Sequence, residues 1–167
     1  MTALKFSTYS HLATYAHSIE VKNLLEIFTK YFFCHKPEMF VGILETKNAH
    51  QVIAKKDEIM SLVRKAGLCH DIGKIQYAST VALSSRRLYD FEFQLIQEHV
   101  LAGDMINTFD ESIHCAKDAI LGHYKWYDGS KGYPSNFNNR ESRYAFIIDM
   151  VSVADSIDAA TDTIGRR

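Results

Sequence analysis

Histidine and aspartate stand side by side at the end of an apolar stretch, and a glycine and a lysine follow at once, in Leu68-Cys69-His70-Asp71-Ile72-Gly73-Lys74. Imidazole and carboxylate are metal-ligand types, and Lys74 adds a mobile cation where a helix gives way to a loop. The combination suits the handling of phosphate. His17, His99, His123 and Asp155 each fall on the apolar stripe of a separate expected helix. Taken singly, each such histidine has an ordinary explanation as a core residue bonded to a carbonyl. Taken together with Asp71 and Asp155, they would be forced by helix packing into one dry interior, and a metal centre between helices is the economical resolution. Six nitrogen and carboxylate ligands exceed the needs of one tetrahedral zinc. They suit iron, manganese, zinc or nickel without choosing among them.

The elements that must position these groups follow from apolar periodicity. A helix from about 9 to 33 carries His17, Val21, Leu24 and Phe28 on one face. After a loop at 34–46 containing Pro37 and Gly42, a second long helix from about 48 to 70 aligns Ile59, Leu62, Val63, Ala66 and His70. Asp71 then sits at the negative end of that helix, where its charge is unfavourable unless a cation is close. Residues 75–88 are polar and irregular. Asp90 is a plausible N-cap for a third helix over about 91–108, with Glu92, Leu95, His99, Gly103 and Ile106 on one side. A fourth, about 111–124, has Ala116, Ala119, Ile120 and His123 as its inner stripe. Residues 128–139, rich in glycine, asparagine, serine and proline, are a loop flanked by Trp126, Tyr127 and Tyr133. A last helix, about 141–161, places Ile148, Val151, Asp155 and Ala159 on one face. No lysine or arginine stands one turn from Asp155, so burying it requires a partner from elsewhere or a metal. Asp158 lies off that face, where it could orient a neighbouring ligand. His11, His35, His50 and His114 read as surface residues.

The bulk numbers agree with a single all-α domain. The chain has 167 residues, 47% hydrophobic and 23% charged, enough to bury a core. Only Pro37 and Pro134 are prolines, which leaves long stretches free to be helical. A net charge of −1 without a basic stripe excludes a duplex nucleic-acid binder. Cys34, Cys69 and Cys115 are odd in number and far apart, which argues against a disulfide framework or zinc ribbon and for a reducing, cytoplasmic setting. No run approaches the length of a membrane span.

The extended His70-Asp71-Ile72-Gly73-Lys74 motif resembles the signature of the HD superfamily of metal-dependent phosphohydrolases. With Asp128-Gly129-Ser130-Lys131-Gly132-Tyr133-Pro134 it resembles the HD-GYP subfamily, whose members commonly hydrolyse cyclic di-GMP. The resemblance runs from His17 to Asp158 with the motifs in the family's order. It implies an HD-domain bundle of about five to seven helices around a dinuclear site, with iron or manganese placed ahead of zinc or nickel. His17, His70, Asp71 and Asp155 would hold one metal and His99 and His123 the second, with Asp71 bridging. A metal-activated hydroxide would attack phosphorus in line, with Asp71 and Lys74 as the catalytic pair. Lys74, Gly129, Gly132, Tyr133, Pro134, Arg166 and Arg167 would bind substrate, a cyclic dinucleotide or another phosphoester.

The chain also departs from the family pattern. His123-Tyr124 replaces a pair of adjacent histidines. Ala13 stands where three-metal members carry a glutamate, so two metals at most are expected. Lys131 is an extra residue within the glycine-tyrosine-proline loop. The basic end at Gly165-Arg166-Arg167 continues as helix in the family, which makes 1–167 read as one domain of a longer protein. A fused sensor domain or a second copy are the partners this leaves open, and a catalytically degenerate signalling module is the alternative to an enzyme.

Overall fold

The computed structural model describes residues 12–77, 89–109 and 111–161. Their α-helices are α1 (Leu12–His35), α2 (Ala49–Ala54), α3 (Lys56–Cys69), α4 (Asp90–Gln97), α5 (His99–Phe109), α6 (Lys117–Gly122) and α7 (Ala145–Thr161). Short 3-10 helices cover Pro37–Phe40, Ile43–Glu45, Ile72–Tyr77, Glu111–Ala116 and Asn139–Glu141. Among the described residues there is no β-strand, only one isolated antiparallel bridge between Lys125 and Gly132. The all-α bundle expected from the sequence is the fold.

Helix α1 runs unbroken for 24 residues because neither glycine nor proline interrupts it, and Pro37 stands just beyond its end. Its buried stripe of His17, Val21 and Leu25 packs along α3, which answers with Ile59, Leu62, Val63 and Ala66. Glu26 of α1 accepts a hydrogen bond of 2.9 Å from Arg64 Nε of α3, which ties the outer edge of this pair. Helix α7 closes the bundle on α1 through Ile147, Ile148, Met150, Val151 and Ala154. A second, smaller apolar cluster of Cys69, Ile72, Ala116 and Ile120 lies under α5 and α6. His70 and Asp71 sit in the chain between these two cores.

Several boundaries differ from those read off the sequence. The second long helix is broken at Lys55, whose ammonium donates to the Leu44 carbonyl at 3.0 Å, and Asn48 caps its first half by accepting from the Gln51 amide. The third breaks at Glu98 into α4 and α5, and within α4 the expected inner side is not uniformly buried: Glu92 is buried but Leu95 is 44% exposed. Asp90 is the first residue of α4 and not its cap. Tyr89 takes the cap position, its amide donating to the Glu92 carboxylate at 2.8 Å. The stretch before α6 is 3-10, and α7 begins at Ala145, four residues later than expected, because Asn139–Glu141 forms its own 3-10 turn. Ala159 is exposed, although Asp158 beside it still reaches His17. Residues 78–88, most of the stretch expected to be irregular, lie outside the described residues, as do Arg166, Arg167 and His11. His35, His50 and His114 are exposed, as expected.

Gly73 sets how closely the segment after the His-Asp pair approaches α5. A Cβ at this position would stand 1.8 Å from the His99 carbonyl oxygen and 2.5 Å from the Gly103 amide nitrogen. These are backbone atoms with no side-chain freedom to relieve the overlap, so only glycine lets Ile72–Tyr77 lie against the first turn of α5. Gly73→Ala should therefore cost about 3 kcal/mol or more in a urea unfolding titration. A loss below about 1 kcal/mol would show that the two segments do not meet this closely.

Candidate metal centre

Four elements deliver imidazoles to one point: α1 gives His17, the end of α3 gives His70, the start of α5 gives His99, and the residue after α6 is His123. All four are buried, as is Asp71, while the Asp155 side chain from α7 is 13% exposed. His17, His70 and Asp155 place ligand atoms within 4.8 Å of one another, and so do Asp71, His99 and His123. Asp71 faces both groups. Its Oδ2 lies 3.6 Å from His17 Nε2 and 3.5 Å from His70 Nε2, and its Oδ1 lies 3.2 Å from His99 Nε2 and 3.6 Å from His123 Nε2.

The outer nitrogens reveal what these rings present inward. His70 Nδ1 is 2.8 Å from the Gly67 carbonyl and His99 Nδ1 is 2.6 Å from the Ile96 carbonyl. His123 Nδ1 is 3.0 Å from the carbonyls of both Ala119 and Ile120. Carbonyl oxygens only accept, so each Nδ1 carries the hydrogen, and in the neutral ring each Nε2 presents a lone pair to the interior. His17 follows the same rule with a stronger partner, its Nδ1 donating to Asp158 Oδ2 at 2.6 Å. The Nε2 atoms then meet head on, His17 with His70 at 3.3 Å and His99 with His123 at 3.5 Å, beside two carboxylates. Asp71 Oδ1 is buried and accepts no hydrogen bond. Such a gathering of acceptors without donors is costly in a dry interior and is resolved by cations. The donor set, imidazole nitrogen and carboxylate oxygen without thiolate, could hold a divalent metal.

Electrostatics point the same way. Asp71, Asp155 and Asp158 carry three negative charges against the single positive charge of Lys74, a net of −2 with neutral imidazoles. Burial alone would push the Asp71 carboxyl up, but the Lys74 ammonium and the surrounding imidazoles hold it well below the usual range. Burial likewise opposes the Asp155 charge, and the His17 contact together with His70 and His123 outweighs it. For His17, burial acts downward, yet Asp155, Asp71 and Asp158 together raise it. His70 has no comparable relief, and burial pushes it down to about 4. His99 is also lowered, chiefly by burial.

Lys74 Nζ sits 2.5 Å from Asp71 Oδ2, supplying the nearby cation that an aspartate at a helix C-terminus requires. The loop residues are placed unevenly. Tyr133 reaches the centre, stacking on Tyr124 at 4.6 Å between ring centroids and meeting the His99 ring edge-on at 6.4 Å. Burial raises its phenol, which therefore stays protonated and can donate. Gly132 has φ of +88°, and a Cβ there would lie 2.0 Å from the Tyr124 carbonyl. It fastens the loop to the chain just after His123. Gly129, with φ of +76°, forms a turn whose amide donates to the Trp126 carbonyl at 2.9 Å, and the buried Pro134 accepts from Lys125 Nζ at 3.4 Å. Tyr124 is the residue whose placement the sequence did not convey. Its ring packs on His123 at 4.4 Å and meets His99 at 5.4 Å, a contact between neighbours in space that no helical period encodes.

Two outcomes follow for the metal-free protein. In an NMR titration His70 should protonate only near pH 4 while His17 titrates above 6.5. An unfolded chain takes up a proton near pH 6.5 that folded His70 refuses until about 4, so stability falls across that window as the pH drops, by about 3 kcal/mol for this residue alone. His17 acts oppositely: its contribution is complete below pH 6.5 and fades as the pH rises through its own raised value. Secondly, Asp158→Ala should weaken metal binding by about 10 to 100-fold in a competitive chelator titration, with helix content unchanged. Unaltered affinity would mean that Asp158 does not orient the His17 ring.

No family model and no solved structure matches the chain. Curated relatives do. A cyclic di-GMP phosphodiesterase of Thermotoga maritima is 29% identical over 144 residues, 84% of this chain and 38% of that protein. A cyclic di-GMP phosphodiesterase of Pseudomonas aeruginosa is 33% identical over 104 residues, 60% of this chain and 24% of the relative. A probable cyclic di-GMP phosphodiesterase of Vibrio cholerae is 33% identical over 78 residues, 42% and 18%. The chain thus spans well under half the length of each of these relatives. They support the resemblance drawn from the motifs: the chain is similar to cyclic di-GMP phosphodiesterases.

Proposed function

We propose that the chain is a metal-dependent phosphodiesterase that opens cyclic di-GMP to the linear dinucleotide. The observation that carries this reading is the two-sided placement of Asp71, one carboxylate oxygen toward His17 and His70 and the other toward His99 and His123. His17, His70, Asp71 and Asp155 would hold one divalent ion, and Asp71, His99 and His123 a second; the donor set suits iron, manganese, zinc or nickel alike, and the family resemblance puts iron or manganese first. Bound there, such ions would supply Lewis-acid stabilisation of phosphoryl oxygens and a water of lowered pKa. The relatives' names are the support for the substrate.

The chain's own residues have separable tasks in this reading. The hydrogen bonds from Nδ1 of the four histidines fix each ring and keep its Nε2 aimed inward. Asp71 stays ionised because Lys74 and the imidazoles oppose the effect of burial. Lys74, 14% exposed at its side chain, is able to turn from Asp71 toward a non-bridging phosphate oxygen. Tyr133 offers a protonated hydroxyl at the edge of the centre, where it can donate to the substrate. The free thiols of Cys34, Cys69 and Cys115 accord with a reducing cytoplasm. Among the described residues no helix is long and apolar enough to cross a membrane.

A second reading is favoured by Tyr124. Its ring lies against both imidazoles of the second group, so a one-metal or catalytically degenerate module of the same fold is the alternative. Purified chain reconstituted anaerobically with iron or manganese should convert cyclic di-GMP to the linear dinucleotide, and Asp71→Ala should lower the rate by at least about a thousandfold. Turnover that survives Asp71→Ala would reject the mechanism. One equivalent of metal per chain, unaffected by His99→Ala, would favour the module. Hydrolysis of other phosphoesters in preference to the cyclic dinucleotide would move the substrate to a different nucleotide class.

A further inference from the structure

A cavity of about 870 Å³ lies between the second half of α1 and the first turns of α7, apart from the metal centre. It shares no lining residue with the buried imidazoles and carboxylates. On α1 the lining residue nearest the centre is Ile27, ten residues beyond His17 and about 15 Å along the helix, and on α7 Val153, two residues before Asp155, points to about the opposite face of the helix. Its inner wall is aromatic and aliphatic, with Phe28, Phe32, Phe146 and Met150, and the Phe32 and Phe146 rings meet edge-on at 4.9 Å. Ile27, Tyr31, Tyr127 and Val153 form the mouth and are more than half exposed. Large apolar side chains gathered at the mouth of a concavity of this size match ligand pockets more closely than a flat protein interface.

Charge narrows the occupant. The charged residues lining the cavity are Arg140, Arg143 and Asp149, a balance of +1. Arg140 is engaged: its Nη1 donates to Asp149 at 3.0 Å and its guanidinium lies 4.7 Å over the Tyr127 ring. Arg143 is exposed at the same mouth and makes no ion pair among the described residues. An apolar bed with a guanidinium at its entrance is complementary to a molecule having an apolar body and one anionic head, the body on the phenylalanines and the head on Arg143. We infer that this cavity binds an amphipathic anion, a carboxylate or sulfonate carried on an apolar chain or ring system, at a site separate from the metal centre.

The test uses the full metal-loaded chain with anilinonaphthalene sulfonate as fluorescent probe and decanoate as competitor. Saturable binding of one probe per chain is expected, with displacement by decanoate but not by decanol. Arg143→Ala should weaken the probe by about tenfold, the loss of one charge-assisted contact. Val153→Trp, which fills the mouth, should remove binding while the circular dichroism spectrum stays unchanged. Equal displacement by decanol would overturn the anionic selectivity. Displacement by cyclic di-GMP would locate the probe at the metal centre instead and overturn the separate site. A dimer seen by sedimentation and abolished by Val153→Trp would overturn it too, since the groove would then belong to a second copy of the chain. Because the readout is probe fluorescence, its outcome is independent of whether the chain hydrolyses a phosphodiester.

Discussion

Four buried imidazole rings, each held by a hydrogen bond on its outer nitrogen, turn their inner lone pairs toward one another and toward the carboxylates of Asp71 and Asp155. Acceptors gathered in this way repel, and the ring hydrogens that could relieve them are committed to carbonyls and to Asp158. Lys74 is the cation that meets Asp71 directly, and one ammonium leaves a surplus of negative charge. The centre is therefore a fold element whose stability is conditional on what it binds, and the surrounding helices are arranged to keep it from relaxing. A metal at such a site would be coupled to folding, because the unfolded chain has no preformed site.

The packing around the centre serves this constraint from several sides. Helices α1 and α3 pack along one another and set the distance between His17 and His70. Gly73 allows the segment after Asp71 to lie against the backbone of His99, so that one carboxylate reaches both groups of rings. Helix α7 contributes two carboxylates three residues apart, Asp155 toward His17 Nε2 at 3.0 Å and Asp158 toward His17 Nδ1, and so grips a single imidazole by both nitrogens. That arrangement distinguishes His17 from the three rings anchored on backbone carbonyls. A carboxylate partner makes the ring a more basic donor than a carbonyl does.

The glycine-tyrosine-proline loop has a structural task as well as a position at the site's edge. Gly132 fastens it to the residues following His123, and Tyr133 stacks on Tyr124, which rests on His123 and His99. Loop, tyrosine pair and the second group of rings thus form one continuous packed unit. The aromatic residues just before the loop remain outside it: Trp126 and Tyr127 are exposed, with Lys131 and Arg140 over their rings.

By itself the sequence determined the helical class, the inward direction of His17, His70, His99 and His123, and the need of Asp71 and Asp155 for partners. Each of these is a local matter of period, of breaker residues and of the cost of burying a charge. Asp158 was legible as an orienting group for the same reason, one position off the buried stripe of its helix. What the sequence could not determine were quantities that arise between elements. The breaks at Lys55 and Glu98 fall inside runs with good helical periodicity, because tertiary contacts such as that of Lys55 with the Leu44 carbonyl redirect the chain. Only the tertiary structure decided that the two oxygens of Asp71 divide between two groups of rings, that Tyr124 covers His99 and His123, and that a charged-rimmed apolar cavity opens between α1 and α7. Those depend on distances set by backbone approach and side-chain shape, and residue spacing along one helix carries no information about them.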